Sequence, residues 1–225
     1  MRLGVVRFPG SCDDRDALLA AERVGEAVVL WHADADLRGA DAVIVPGGFS
    51  YGDYLRPGAI ARFSPVMASV AAFVGDGGPV LGICNGFQVL CEAGLLPGAL
   101  LPNLGLRFLC RQVDLVIEHP RAPFTSAYAA GQRLSVPVKH TTGRFFAPED
   151  ALESLEAAGQ IALRYAPGDN PNGSARDIAG ITNPMGNVMG LMPHPEHAVD
   201  VLTGSADGLG VFSSLAQGAG SPVPA

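Results

Sequence analysis

The sequence predicts an α/β fold: a mainly parallel sheet with both faces covered, extended by antiparallel strands. Three observations predict it. Short, continuous apolar runs recur through the first part of the chain, as strands buried on both faces require. Helical stretches alternate with them, so successive strands are joined by crossovers. Two of the runs end directly in glycine-rich turns, Pro46-Gly47-Gly48 and Gly82-Ile83-Cys84-Asn85-Gly86. Ligands of such sheets sit at the carboxyl ends of strands.

Residues 3–8 form the first apolar run, interrupted by one arginine and closed by a turn at Gly10-Ser11. Asp13 or Asp14 is placed to cap a helix carrying Leu18, Leu19, Ala20 and Val24. Residues 27–31 are a second short strand, 34–39 a connecting loop, and 42–45 a third strand. The loop 49–58 is broken by glycines and a proline yet dense in aromatic and hydrogen-bonding groups, which suits one wall of a pocket. Residues 64–74 read as a helix with Pro65 in its first turn, 79–83 as a strand and 85–93 as the helix after it. From Leu104 the character changes. Residues 108–118 and 134–138 read as strands with no helix between them, an antiparallel extension of the sheet. A helix over 149–158 and a strand over 161–165 follow. After a turn at 169–174, strands at 178–182 and 188–192 make a hairpin. A helix over 207–217 closes a single domain spanning 1–217, and 218–225 read as a flexible tail.

Composition narrows the function. With 225 residues, 48% hydrophobic and 16% charged, the chain has material for one sizeable core. A net charge of −7 argues against nucleic acid, whose phosphates want a basic face. Lys139 is the only lysine and lies in no glycine-rich turn, so a Walker A phosphate loop is missing and no cofactor is expected in this chain. No run of about 18 apolar residues exists to span a membrane. The N-terminal apolar run is too short for a signal peptide, and no Cys-x-x-Cys pair occurs. A cytoplasmic location is therefore expected.

The chemistry centres on Cys84. Glycines at minus two and plus two fit a Gly-x-nucleophile-x-Gly elbow, where a strand turns sharply into a helix. The helix N-terminus there favours a thiolate and offers oxyanion donors. His194 follows another strand end, and Glu196 lies two residues on. In an extended segment those two side chains share a side, so Glu196 can hold one imidazole nitrogen while the other faces the thiol. Gly47 and Gly48, lacking Cβ atoms, let a backbone N–H approach a substrate oxygen, and the N–H of Asn85 is the second donor. The other cysteines are read as small core residues, Cys91 and Cys110 more firmly than Cys12. His32, His119 and His140 are read as surface or structural. A metal site is not expected, because His194-Pro195-Glu196-His197 lacks the i, i+4 spacing of a helical zinc site.

Gly82-Ile83-Cys84-Asn85-Gly86-Phe87-Gln88 and Pro193-His194-Pro195-Glu196 resemble the nucleophile and His-Pro-Glu motifs of class I, triad-type glutamine amidotransferases. Pro46-Gly47-Gly48-Phe49-Ser50-Tyr51-Gly52-Asp53 and Asn170-Pro171-Asn172-Gly173-Ser174 resemble, within that family, the glutaminase subunits of phosphoribosylformylglycinamidine synthases. The resemblance covers residues 1 to about 215. It implies a flavodoxin-like three-layer sandwich and a Cys84, His194, Glu196 triad that hydrolyses L-glutamine through a γ-glutamyl thioester. It also implies glutamine contacts from Gly47, Phe49, Gln88, His140 and Thr141. The ammonia is then consumed by a large synthetase subunit that uses ATP and Mg, assisted in many bacteria by a small third subunit. Two departures stand out. His140-Thr141-Thr142-Gly143 replaces the family's usual His-Gly-Glu-Gly, and His197 replaces an arginine often found after His-Pro-Glu, a change expected at a surface or partner contact and not at the triad.

Two enzyme readings compete. A cysteine hydrolase of the DJ-1/PfpI kind would place a histidine close after the nucleophile, where Phe87 stands, and would leave His194-Pro195-Glu196 unexplained. A glutaminase serving another biosynthetic synthetase fits the long 47–58 loop less well. A non-catalytic subunit keeping the same fold has no use for an intact Cys84, His194 and Glu196.

Overall fold

The structure is a computed structural model that describes residues 1–218. Its element order is β1 (Arg2–Arg7), α1 (Asp14–Glu22), β2 (Glu26–Trp31), β3 (Ala42–Val45), α2 (Pro65–Gly75), β4 (Val80–Ile83), α3 (Asn85–Glu92) and β5 (Ala99–Pro102). Then follow β6 (Leu109–Ile117), β7 (Arg133–His140), β8 (Thr142–Phe146), α4 (Glu149–Ala157), β9 (Ile161–Tyr165), β10 (Ile178–Thr182), β11 (Val188–Leu191) and α5 (Leu209–Gly218). Of the expected tail, Gly218 ends α5 and the rest lies outside the described residues.

One nine-stranded sheet runs in the order β2-β1-β3-β4-β11-β10-β9-β6-β7. The pairs from β2 through β11 are parallel and those from β11 through β7 are antiparallel. Every residue of β3, β4 and β11 is buried, so both faces of the central sheet are covered. That explains their unbroken apolar composition. The hairpin expected from β10 and β11 forms, but its second strand also pairs in parallel with β4, matching Gly190 to Gly82 and Leu191 to Ile83. This register brings the end of β11 beside the end of β4. Two elements far apart in the chain thereby meet at the site.

The structure departs from expectation in several places. β5 and β8 form a separate two-stranded antiparallel sheet that no apolar pattern announced. Both are short, and Pro102 and Gly143 interrupt their sequence signal. Cys110 is exposed and not in the core, because residues 109–114 of β6 pair only with β7, beyond the covered part of the sheet. Asp13 precedes α1 but makes no side-chain capping bond. It is directed into the site.

The elbow requires Gly86. A Cβ there would land on the carbonyl oxygen of Val45 in β3, a backbone atom that cannot move aside. Gly86→Ala is expected to lower stability by about 1–3 kcal/mol, the usual cost of overpacking. Urea denaturation measures it, and an unchanged midpoint would show that α3 can shift off β3.

Candidate active site

Four strand ends converge. The turn after β1 supplies Cys12 and Asp13, β3 ends at Gly47 and Gly48, β4 ends at Cys84, and β11 leads to His194. Cys84 has φ 50° and ψ −103°, a left-handed backbone unusual for a residue with a side chain. Such conformations cost about 1–3 kcal/mol and persist where the surroundings impose them. Here α3 starts at the next residue, and the Cys84 N–H donates to the Leu191 carbonyl at 2.8 Å.

His194 is fully buried, with its Nδ1 2.6 Å from Glu196 Oε1. The segment Pro195–His197 is a 3-10 turn and not extended, so the expected route to this pair is corrected while the pair itself is present. Burial alone would strip the proton from His194. The charges of Glu196 and of a Cys84 thiolate outweigh burial and push the imidazole up to about 10. The ring therefore carries a proton at neutral pH. Its Nε2 has no hydrogen-bond partner among the described residues, which leaves that nitrogen for the reacting groups.

Backbone donors are in place. Cys12 N–H donates to the Gly47 carbonyl at 3.3 Å and Phe49 N–H to the Gly10 carbonyl at 2.9 Å. These two bonds flank the Ser11–Gly48 bridge, and the Gly48 N–H donates to no acceptor among the described residues. The N–H of Asn85, in the first turn of α3, has no intrahelical acceptor. Gly47 is glycine for an additional reason. A Cβ there would strike Asp13 Oδ2 and come within 2.8 Å of His194 Cε1.

The pocket beside Cys84 is lined by Gly48, Phe49, Gln88, His140 and Thr141, all named from sequence, and also by Cys12, Asp13, Asp53, Phe108, Lys139 and Thr142. The carboxamide of Gln88 is committed to the wall, accepting from Asn85 Nδ2 at 2.9 Å and donating to the Thr142 carbonyl at 2.5 Å. His140 is buried, its Nδ1 3.0 Å from Asn103 Oδ1. Burial and the charge on His194 lower its pKa to about 4, so the ring is neutral. The Asn170–Ser174 turn steadies this wall from behind: Asn172 Nδ2 donates to the Gly143 carbonyl at 2.9 Å and to Tyr165 Oη at 3.2 Å.

Asp13 is the main group the sequence did not reveal. Its carboxylate is 3% exposed, accepts from Lys139 Nζ, and lies 3.2 Å from His197 Nε2 and 3.7 Å from His194 Nδ1. Burial opposes its charge, but His197, His194 and Lys139 together hold it well below the usual carboxylate range. His197 therefore does more than face the surface, because it braces a carboxylate beside His194. Asp13, His194, Glu196 and His197 also place four potential metal ligands within 4.8 Å of one another, a grouping invisible to spacing rules. The ammonium of Lys139 already supplies Asp13 with its positive charge.

The thiols differ by location. Cys91 is partly buried, and burial pushes its thiol up; Cys12 is exposed on the pocket wall and raised by burial and by Asp13; Cys110 is exposed on β6. A glutamine analogue with an electrophilic side chain is expected to label Cys84, with protection by glutamine, while Cys91 and Cys110 are spared. Peptide mapping reads the adduct, and equal labelling of the three would remove the elbow from the mechanism.

The chain matches the CobB/CobQ-like glutamine amidotransferase domain over residues 1–207. It is 62% identical over 220 residues to the phosphoribosylformylglycinamidine synthase subunit PurQ of Rubrobacter xylanophilus, covering 97% of this chain and 99% of that one. It is 61% identical over 215 residues to the same subunit of Mycobacterium tuberculosis, covering 95% of each. A chain in the structure of PurLQS from Thermotoga maritima superposes with a TM-score of 0.88 at 44% identity, covering 96% of this chain and 97% of that one. The glutaminase domain of Trypanosoma brucei CTPS, at a TM-score of 0.62 and 16% identity, shares the fold and covers 100% of this chain and 96% of its own. The chain belongs to the CobB/CobQ-like glutamine amidotransferase family, among the PurQ-type subunits of phosphoribosylformylglycinamidine synthase.

Proposed function

We infer that this chain is the glutaminase subunit of a phosphoribosylformylglycinamidine synthase, releasing ammonia from glutamine for a synthetase partner. The observation that carries the reading is the 62% identity, over 97% of the chain, to a PurQ subunit. The geometry supports a route. Cys84 Sγ attacks the carboxamide carbon of glutamine, and the N–H groups of Gly48 and Asn85 receive the oxyanion. The imidazolium of His194, held by Glu196, gives its Nε2 proton to the departing ammonia. The neutral ring then takes a proton from water that attacks the γ-glutamyl thioester. Glutamate leaves, and thiolate and imidazolium are restored.

ATP and Mg belong to the partner. The one lysine of this chain is committed to Asp13, and nothing in the sequence forms a phosphate loop. Exposed apolar side chains near the pocket-lining Phe49 and Phe108 in sequence suit a docked subunit: Tyr54 and Leu55 on one loop, Leu104 and Leu106 on another, Leu55 at 89% and Leu106 at 77%. A small third subunit completes the assembly in this reading. The four free thiols suit a reducing cytoplasm.

The test is co-purification with the synthetase, followed by assay on formylglycinamide ribonucleotide and ATP with glutamine or ammonia as nitrogen donor. Both donors are expected to support synthesis by the complex, and only ammonia by the synthetase alone. Glutaminase activity of the isolated chain is expected to be weak. A complex that uses ammonia but gains nothing from glutamine would overturn the assignment.

A further inference from the structure

The triad and the oxyanion donors account for the carboxamide end of glutamine, and leave open what reads its other end. Free glutamine carries an α-ammonium group, which needs an anionic acceptor when it leaves water. The 140–143 loop on the pocket wall carries no carboxylate, since Thr141 and Thr142 stand there. Among the described residues two carboxylates line the pocket, Asp13 and Asp53. Asp13 is taken by Lys139 and His197. Glu196 is buried behind His194.

Asp53 differs from both. Its one side-chain hydrogen bond among the described residues comes from Asn85 Nδ2 at 3.4 Å, a long contact with a neutral group. Asn85 adjoins the nucleophile, so the carboxylate is within one side chain of Cys84. The loop backbone holds it there. Tyr51, Gly52 and Asp53 have φ values of 53°, 70° and 55°, three left-handed residues in succession, two of them with side chains. Strain of that kind persists only where the surroundings fix it. Here the Ser50 N–H donates to Asn85 Oδ1 at 3.1 Å, and Tyr51 Oη sits 2.7 Å from His32 Nδ1 and 2.8 Å from Ser64 Oγ. The tyrosine is turned away from the pocket and the aspartate toward it.

We propose that Asp53 is the residue that recognises the α-ammonium group of glutamine. The proposal rests on the glutaminase reading and names its specificity determinant. Burial raises the Asp53 carboxyl to about 6, as befits an acid waiting for a cation. The loop 47–53 then serves both ends of the substrate, Gly48 at the oxyanion and Asp53 at the ammonium.

The experiment compares L-glutamine with glutaramate, which has the carboxamide and carboxylate but no amino group. It uses the chain assembled with its synthetase and measures glutamate or glutarate release for the native protein, Asp53→Asn and Asp53→Glu. The native complex is expected to prefer glutamine in kcat/KM by about 10- to 100-fold, the range for a charge-assisted hydrogen bond. Asp53→Asn is expected to erase most of that preference, chiefly through KM for glutamine, and Asp53→Glu to restore part of it. A preference unchanged in Asp53→Asn, or missing from the native complex, would overturn the proposal. Should Asp53→Asn not assemble, the native ratio and Asp53→Glu still decide. Failure of the underlying reading looks different, because the native complex would then release nothing from either substrate.

Discussion

Replacing Cys84 by alanine is expected to abolish glutamine-dependent synthesis by the assembled complex while ammonia-dependent synthesis continues at its native rate. Removing a nucleophile of this kind costs roughly 10⁴- to 10⁶-fold in turnover, because the residual catalysis comes only from binding and the oxyanion donors. The substitution is mild for the fold. Cys84 is 5% exposed, and its strained backbone is set by the β4-to-α3 turn, with Gly86 against Val45 and the Leu191 carbonyl as acceptor, none of which needs the sulfur. Alanine also leaves the pocket rim intact, so docking of the synthetase is unaffected. Loss of both activities in a properly assembled complex would mean that the amination step also runs through this chain. Loss of neither would show that the thiol is not the nucleophile.

How much of this was legible in the sequence depended on how local the signal was. Cys84 and its flanking glycines announce themselves because the elbow is made by five consecutive residues, and His194 and Glu196 because they are two apart. Their meeting was not legible from spacing. It is produced by the parallel pairing of β11 with β4, between strands more than a hundred residues apart. Asp13, Lys139 and Asp53 were missed for the same reason. Asp13 has the sequence position of a helix cap, and only the packing of the β1–α1 turn against the end of β7 shows that it faces Lys139 and His197. Asp53 sits in a loop whose composition suggested a pocket wall, but which side chain faces inward is set by three left-handed residues that no pattern predicts. The parallel core was readable because double burial writes continuous apolar runs. β5 and β8 were not, because their faces are only partly covered.

Glu196→Gln is expected to lower glutamine turnover by about 10²- to 10⁴-fold, the upper end being the usual effect of losing the carboxylate of a hydrolytic triad. Two consequences are separable. The carboxamide oxygen introduced by this substitution can still accept from Nδ1, so the ring stays oriented, but the charge that holds the proton on His194 is gone. Burial, the largest single influence on that imidazole, then lowers its pKa, and the ring gives up its proton at a lower pH. The sign is therefore fixed: the alkaline limb of the pH–rate profile moves down in pH, where the native enzyme is expected to stay active until the imidazolium titrates at about 10. Asp13 decides where in the range the loss falls. Its Oδ2 is 3.7 Å from His194 Nδ1, too far for a hydrogen bond but close enough to favour the charged ring in a buried setting. With Asp13 present the loss should sit toward the lower end, about 10²-fold. In an Asp13→Asn, Glu196→Gln double variant it should approach the upper end, about 10⁴-fold, more than the product of the two single effects. Strict multiplicativity of the two losses would show that Asp13 serves Lys139 and His197 alone and contributes nothing to the histidine's charge.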